Sequence, residues 1–282
     1  MVADSSFAPA AMNCSHRYYP LEEFFSSARA NGYEAVELWL GPMHFFVDHR
    51  GTEDPQTLLG LAEKYGLRIV GICPEQNNPK PSNVAARGRG AQDRSFAYFK
   101  NVIDLGVTLG CVEVSLTPGW GFLSEPREAA LERSAIMLRR LCDYSDAVGM
   151  RLAVEALQPE ESCVANSARQ LKELIDAVDR PTLGVNLDTG AMWRAGETAQ
   201  DYFDAFGPRV IHCHFVDAGI VSHVAWGDGL REMARDLRSL VRNKYSGYLS
   251  MEVLGERYLA SPAAADAQCM HAYRQCMEEI GL

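Results

Sequence analysis

The stretch Leu183-Gly-Val-Asn-Leu-Asp188 is a short apolar run that ends in a carboxylate, and three other short runs likewise end in an acid or a histidine. They are Arg151-Leu-Ala-Val-Glu155, Val210-Ile-His-Cys-His214 and Tyr248-Leu-Ser-Met-Glu252. Runs of this length and composition predict buried β-strands. The four terminal polar residues are 33, 26 and 38 residues apart, which is about the length of one strand-helix unit.

Strand-like and helix-like segments alternate over the rest of the chain as well. We predict further strands at residues 7–15, 35–40, 68–73 and 111–116. Helices are predicted near residues 21–30, 55–65, 94–109, 125–148, 167–179, 198–206, 229–244 and 262–279. Glycines at 32, 66, 110 and 149 close helices just before the next strand, as αβ loops prefer. Eight strands alternating with eight helices predict an α/β fold.

The positions of the polar residues favour a closed barrel over an open, doubly wound sheet. The chain has no Gly-x-Gly-x-x-Gly after its first strand and no Walker sequence, which are typical of nucleotide-binding open sheets. In a barrel, by contrast, the C-terminal ends of all eight strands surround one pocket. The 282 residues fit one barrel of about 250 residues, and no linker divides them. We therefore expect residues 1–282 to form a single (β/α)₈ TIM barrel.

The overall composition narrows the class of partner. A net charge of −10 gives no basic footprint for nucleic acid, and no apolar run approaches the ~20 residues of a membrane span. The N-terminus has no signal-peptide pattern, and the eight cysteines include no Cys-x-x-Cys pair. Free thiols in a reducing compartment explain this best, so a cytoplasmic location is expected. A small-molecule partner is favoured, and a homo-oligomer (dimer or tetramer) is left open.

In a barrel, Glu155, Asp188, His214 and Glu252 would converge on one point. Three carboxylates and one imidazole suit a hard or borderline divalent cation such as Mn²⁺, Mg²⁺ or Co²⁺. His212 shares a strand face with His214 but lies deeper, which favours a core histidine. The mid-strand residues Glu37 and Glu113 are expected to point into the barrel in a supporting role.

Other polar and aromatic residues lie where they could line the mouth of the barrel. Glu161 follows the fifth strand and could bind a substrate hydroxyl. The remaining candidate substrate-binding residues lie at or just beyond predicted strands 1, 2, 3 and 7: His16, Trp39, His44, Glu75 and His223. Aromatic residues at such positions are also ordinary packing residues, and one sequence does not separate the two interpretations.

Several motifs of this chain resemble those of the xylose-isomerase-like TIM barrels. They are Ser15-His16-Arg17, Gly32-Tyr33-Glu-Ala-Val-Glu-Leu-Trp39, Pro42-Met-His44, Ile69-Val-Gly-Ile-Cys-Pro-Glu75, Pro159-Glu-Glu-Ser162, His212-Cys-His-Phe-Val-Asp217 and Gly227-Asp-Gly229. Within that superfamily the chain looks most like sugar epimerases of the fructoselysine 3-epimerase and tagatose/psicose 3-epimerase types.

The resemblance implies a site and a chemistry. It places one divalent ion on Glu155, Asp188, His214 and Glu252, with Mn²⁺ preferred over Mg²⁺, Co²⁺ or Zn²⁺. It makes Glu155 and Glu252 the catalytic pair, which removes and returns a proton beside a ketose carbonyl. It also makes Glu161 a contact to the sugar.

Two departures from the tagatose type affect the expected substrate. A histidine three residues after the aspartate ligand is replaced by Ala191, and an arginine six residues after the histidine ligand is replaced by Ile220. The resemblance therefore implies that free ketohexoses are not gripped in the same way, and that a ketosamine such as fructoselysine is an alternative substrate. An aldose-ketose isomerase or an inosose-dehydratase-like lyase would use the same metal site. A sugar-binding barrel without catalysis is the alternative from another class.

Overall fold

Eight parallel strands and the helices between them form the core of the computed structural model, which describes residues 7–77 and 79–281. The strands are β1 (Ala8–Met12), β2 (Ala35–Trp39), β3 (Arg68–Cys73), β4 (Glu113–Leu116), β5 (Leu152–Val154), β6 (Leu183–Asp188), β7 (Val210–His214) and β8 (Tyr248–Met251). The α-helices are α1 (Leu21–Ala30), α2 (Gln56–Tyr65), α3 (Arg89–Leu109), α4 (Arg127–Val148), α5 (Ala168–Val178), α6 (Thr189–Arg194), α7 (Ala199–Phe206), α8 (Met233–Arg242) and α9 (Pro262–Ile280). Short 3-10 turns cover Asn13–His16, Gly207–Arg209 and Glu256–Tyr258.

The sheet closes on itself in sequence order. Each strand pairs in parallel with the next, and β1 pairs with β8 through partners such as Ala8 with Tyr248. The predicted (β/α)₈ TIM barrel is therefore confirmed. Gly66, Gly110 and Gly149 adopt left-handed φ angles of 60°, 69° and 73° at helix C-termini, which confirms their predicted capping role.

Alternation along the strands divides the molecule into two environments. On β6, Val185 and Leu187 belong to the apolar layer between sheet and helices, and the intervening Asn186 and Asp188 are also fully buried. Since successive side chains of a strand point to opposite faces, the polar pair faces the barrel interior. The interior therefore carries polar groups toward the C-terminal mouth, where the candidate site lies.

Three predicted elements have clearly different bounds in the structure, and one helix was not predicted. The helix predicted from about residue 94 begins already at Arg89. The first strand ends at Met12 rather than at residue 15, because Asn13 begins a 3-10 turn and its side chain bonds the backbone of Trp39. The helix predicted from residue 229 begins at Met233, because the Asp217 carboxylate accepts the amides of residues 227, 229 and 231 and holds them in a loop. The short helix α6 was not predicted. Among the described residues, no helix is both long and apolar enough to cross a bilayer.

Candidate metal centre

The four predicted metal ligands lie together at the C-terminal mouth of the barrel. Asp188 and His214 are the last residues of β6 and β7, while Glu155 and Glu252 directly follow β5 and β8. All four are at least nine-tenths buried, and His214 is completely inaccessible. Burying three carboxylates in one place is costly unless a cation or hydrogen bonds compensate for it.

The distances around His214 fit an ion. Its Nδ1 is 3.0 Å from Glu155 Oε2 and 3.0 Å from Glu252 Oε2. Among the described residues this buried nitrogen has no partner that meets hydrogen-bond geometry, although both oxygens lie at 3.0 Å. Neighbouring ligands of an octahedral ion with bonds of about 2.1 Å are about 3.0 Å apart. The orphaned nitrogen and its two oxygen neighbours therefore fit a hard or borderline divalent cation.

Asp188 is held by the start of the following helix. Its Oδ1 accepts the backbone amides of Gly190 (2.7 Å) and Ala191 (3.1 Å), so it caps α6. One atom each from Asp188, Glu155 and His214 lie within 4.8 Å of one another. The two amide hydrogen bonds thus hold the Asp188 carboxylate close to Glu155, which follows β5, and to His214 of β7.

A second buried layer lies below the metal ligands. Glu37 on β2 accepts hydrogen bonds from His214 Nε2 (3.2 Å) and His212 Nε2 (2.6 Å). A carboxylate on one ring nitrogen leaves the other as a lone pair, which for His214 is the Nδ1 that faces Glu155 and Glu252. Burial opposes ionisation of Glu37, but the two imidazoles outweigh it and hold its pKa well below the usual range.

Glu113 lies in the same layer without touching a metal ligand. Its Oε2 accepts the Ser115 hydroxyl at 3.0 Å, and its Oε1 lies 3.8 Å from His212 Nε2. Burial raises the pKa of Glu113 to about 7. The prediction that Glu37 and Glu113 point into the barrel is confirmed. The glycine at position 71 leaves room for the Glu113 carboxyl group, because a Cβ there would lie 2.2 Å from Glu113 Oε1.

Asn186 is a site residue that the sequence analysis did not identify. Its Nδ2 donates to Glu155 Oε2 at 3.0 Å, and its Oδ1 accepts the backbone amide of His214 at 3.1 Å. It therefore ties the ligands of β5 and β7 together from β6. Its position two residues before Asp188, on the same strand face, is the signal that could have identified it.

The two glutamates have unlike electrostatic surroundings. Burial raises the pKa of Glu155 to about 8, against the opposing effect of His214. Burial also disfavours ionised Glu252, but His214 and His223 outweigh it and lower its pKa to about 2. The site thus presents one carboxyl that holds its proton readily and one that releases it readily.

A cavity of about 150 Å³ opens above the two glutamates. Trp39 and Glu75 line it together with Arg17 and Asn77. Glu161 borders this region, because its Oε1 accepts the Asn77 side-chain amide at 3.2 Å. Burial raises the pKa values of Glu75 and Glu161. The predicted residues Trp39, Glu75 and Glu161 therefore lie at the mouth, beside the candidate metal ligands.

The three predicted histidines of the mouth have different surroundings. His16 is buried, and its Nε2 bonds Asp266 of α9 at 2.8 Å. His44 bonds the Asn13 side chain at 2.7 Å and the backbone oxygen of Tyr19 at 3.0 Å. Both rings are thus hydrogen-bonded to groups other than the candidate metal ligands, and these partners were not evident from the sequence. His223, in contrast, contacts Asp188 directly, at 3.0 Å.

Comparisons with known proteins agree with this architecture. The sequence model of a family described as "Xylose isomerase-like TIM barrel" matches residues 25–274. A fructoselysine 3-epimerase from Shigella flexneri is 27% identical over 268 residues, which cover 94% of this chain and 96% of that protein.

Solved structures show the same fold. A D-tagatose 3-epimerase-like protein superposes with a TM-score of 0.79 at 16% identity, over 97% of both chains. A D-psicose 3-epimerase crystallised in the presence of D-fructose superposes with a TM-score of 0.78 at 14% identity, over 98% of this chain and 100% of that one.

Proposed function

Because the chain belongs to the xylose isomerase-like TIM barrel family, we propose that it is a divalent-metal-dependent sugar 3-epimerase. The observation that carries the proposal is the placement of two carboxylates around one imidazole. Glu155 and Glu252 each lie 3.0 Å from His214 Nδ1, yet they follow strands β5 and β8, which are not neighbours in the barrel. They therefore reach a bound sugar from different sides.

Two carboxylates on different sides of a sugar are what epimerisation requires. One removes the proton from C3 of a ketose, the C–H electrons form a C2=C3 double bond, and the carbonyl π electrons move onto the C2 oxygen. The other carboxylate then gives a proton to the opposite face of C3, while the electron pair on oxygen re-forms the carbonyl and the C2=C3 electrons form the new C–H bond. A divalent ion held by the four ligands would supply Lewis acidity toward the carbonyl oxygen.

The side chains at the mouth would bind the rest of the sugar. Glu161, which borders the cavity, and Glu75, which lines it, present carboxylate oxygens that accept hydrogen bonds from hydroxyl groups. Trp39 offers an apolar face, and Gly41 makes room for its ring, because a Cβ there would lie 2.1 Å from the indole. We assign these residues to substrate binding and Mn²⁺ to the ion, which suits a site of three carboxylates and one imidazole.

A ketosamine such as fructoselysine is the proposed substrate. The Shigella relative is described as a fructoselysine 3-epimerase. A neighbouring cavity of about 280 Å³ shares Glu75 with the mouth and is lined by apolar residues such as Phe46 and Tyr98. Asp48 and Arg94 also line it, so an aliphatic chain with a zwitterionic end would find both apolar and charged contacts there.

Proton NMR in D₂O tests the proposal. We expect the Mn²⁺-loaded protein to incorporate deuterium at C3 of fructoselysine and to form its C3 epimer, with a higher kcat/KM than for fructose. An aldose product would indicate an aldose-ketose isomerase, and loss of water would indicate a dehydratase. Sugar binding without exchange at any carbon would favour a binding barrel and refute the proposed catalysis.

A further inference from the structure

His223 is a buried imidazole that the proposed mechanism does not use. It lies in the loop after β7 and is only 3% exposed. Its Nε2 is 3.0 Å from Asp188 Oδ2 and 3.4 Å from Glu252 Oε2. One ring nitrogen therefore faces candidate metal ligands from two different strands, β6 and β8.

The surroundings fix the His223 ring in this place. Its Nδ1 lies 2.9 Å from the Ser222 hydroxyl, and its backbone oxygen accepts the amide of Leu254 at 3.0 Å. The ring occupies space that a side chain at position 190 would need, since a Cβ on Gly190 would lie 2.8 Å from His223 Cε1. His223 also has a left-handed φ of 56°, which residues other than glycine adopt rarely. Such a conformation persists when several contacts determine it together.

The hydrogen-bond chemistry assigns a direction to these contacts. Carboxylates only accept hydrogen bonds, so His223 Nε2 carries the proton that faces Asp188, while its Nδ1 is hydrogen-bonded with the Ser222 hydroxyl. Asp188 Oδ1 is already bonded by the amides of Gly190 and Ala191. The His223 proton therefore holds the second oxygen, Oδ2, and the Asp188 carboxylate is fixed at both ends. The same proton lies within reach of Glu252.

We propose that His223 is a positioning residue that holds Asp188 and Glu252 at the spacing required for one divalent ion. The side chain of Ala191, three residues after Asp188, offers no polar group. An imidazole from the β7–α8 loop supplies the contact to Asp188 instead. The inference rests on the proposed function, because it concerns the ligands of the same metal centre.

Two substitutions at this position separate a positioning role from general packing. His223→Leu removes the N–H donor, whereas His223→Gln retains an N–H near the place of Nε2. Loss of such a supporting contact typically weakens metal binding by about 10–100-fold. We expect that loss for His223→Leu and recovery of most of the affinity for His223→Gln, with Mn²⁺ binding measured by competition against a fluorescent chelator.

His16→Leu is the matched control. His16 is an equally buried imidazole, bonded to the Asp266 carboxylate at 2.8 Å, and Asp266 retains the Ser27 hydroxyl when the ring is removed. Its Mn²⁺ affinity should equal that of the wild type. If His223→Leu does not fold, Ser222→Ala tests the same idea, because it frees Nδ1 without changing the ring and should weaken Mn²⁺ binding by a smaller factor.

Three results would overturn the inference. A His223→Leu variant that binds Mn²⁺ as tightly as the wild type does would mean that His223 does not position the metal ligands. A His223→Gln variant as weak as His223→Leu, with an altered absorption spectrum of bound Co²⁺, would make His223 an ion ligand rather than a positioning residue. A wild type that binds no divalent ion would refute the proposed function as well, whereas an ion-binding wild type beside an unaffected His223→Leu would refute only the role of His223.

Discussion

Replacing Glu37 by glutamine should weaken metal binding although Glu37 does not belong to the predicted ligand set. The Glu37 carboxylate accepts hydrogen bonds from both His214 and His212, at 3.2 and 2.6 Å. A glutamine side chain has one oxygen and one NH₂ group, so it accepts from only one of the two imidazoles. The histidine that faces the NH₂ group must move its proton to Nδ1. For His214 that proton would block the nitrogen that faces the candidate ion.

The magnitude follows from this competition and from the lost charge. Mutating the partner that holds a metal-ligating histidine typically costs 10–100-fold in affinity, or about 1.4–2.7 kcal/mol. We expect Glu37→Gln to weaken Mn²⁺ binding by a factor in this range. The variant should fold, because the substitution keeps the size of a side chain that is completely buried.

Glu113→Gln is the matched control for this prediction. Glu113 lies in the same buried layer, but its oxygens reach Ser115 and His212 and not His214. Because the pKa of Glu113 is raised to about 7, glutamine resembles the protonated form that dominates below neutral pH. Titration calorimetry with Mn²⁺ at pH 6.5 should give the wild-type affinity for Glu113→Gln. Equal affinities for Glu37→Gln and the wild type would refute the assigned tautomer of His214.

Three further predictions concern catalysis, the ion and stability. Glu252→Gln and Glu155→Gln should each slow deuterium incorporation at C3 by about 10²–10⁴-fold while Mn²⁺ remains partly bound. Asp188→Ala should instead lose the ion. Exchange at the wild-type rate in both glutamine variants would mean that neither glutamate is the base. Activity should vanish with EDTA and return with Mn²⁺, Co²⁺ or Mg²⁺, so turnover that survives exhaustive metal removal would contradict the mechanism. Because the folded pKa of Glu113, about 7, exceeds its ordinary value of 4.5, the folded state keeps a proton that the unfolded state loses between these values. The free energy of unfolding of the wild type should therefore fall relative to Glu113→Gln, by up to about 3 kcal/mol, as pH rises through that window, and parallel urea-unfolding curves would contradict this.

The fold and the four candidate ligands could be predicted because both depend on local pattern. Apolar runs that end in Glu155, Asp188, His214 and Glu252 mark strands, and closure of the barrel brings strand ends together whatever the details of the loops. The exceptions are also physical. Helix α6 has only six residues, too few for an apolar period to be recognised, and it follows directly from the capping of its amides by Asp188.

The supporting contacts could not be predicted because their partners are far apart in sequence. Glu37 bonds a histidine 177 residues away, and His16 bonds Asp266 at a separation of 250 residues. Neither separation leaves a periodic signal in the chain. His223 was placed near the mouth by its position after the seventh strand, but its contact with Asp188 depends on a left-handed backbone and on the space left by Gly190.

Anomalous diffraction from crystals soaked in Mn²⁺ tests the central claim most directly. The account predicts one strong peak at the C-terminal mouth of the barrel, with side-chain atoms of Glu155, Asp188, His214 and Glu252 at about 2.0–2.6 Å. The His214 ligand atom should be Nδ1, with Nε2 still bonded to Glu37. A peak elsewhere, or one that leaves any two of the four side chains uncoordinated, would contradict the assignment of this cluster as the catalytic metal centre.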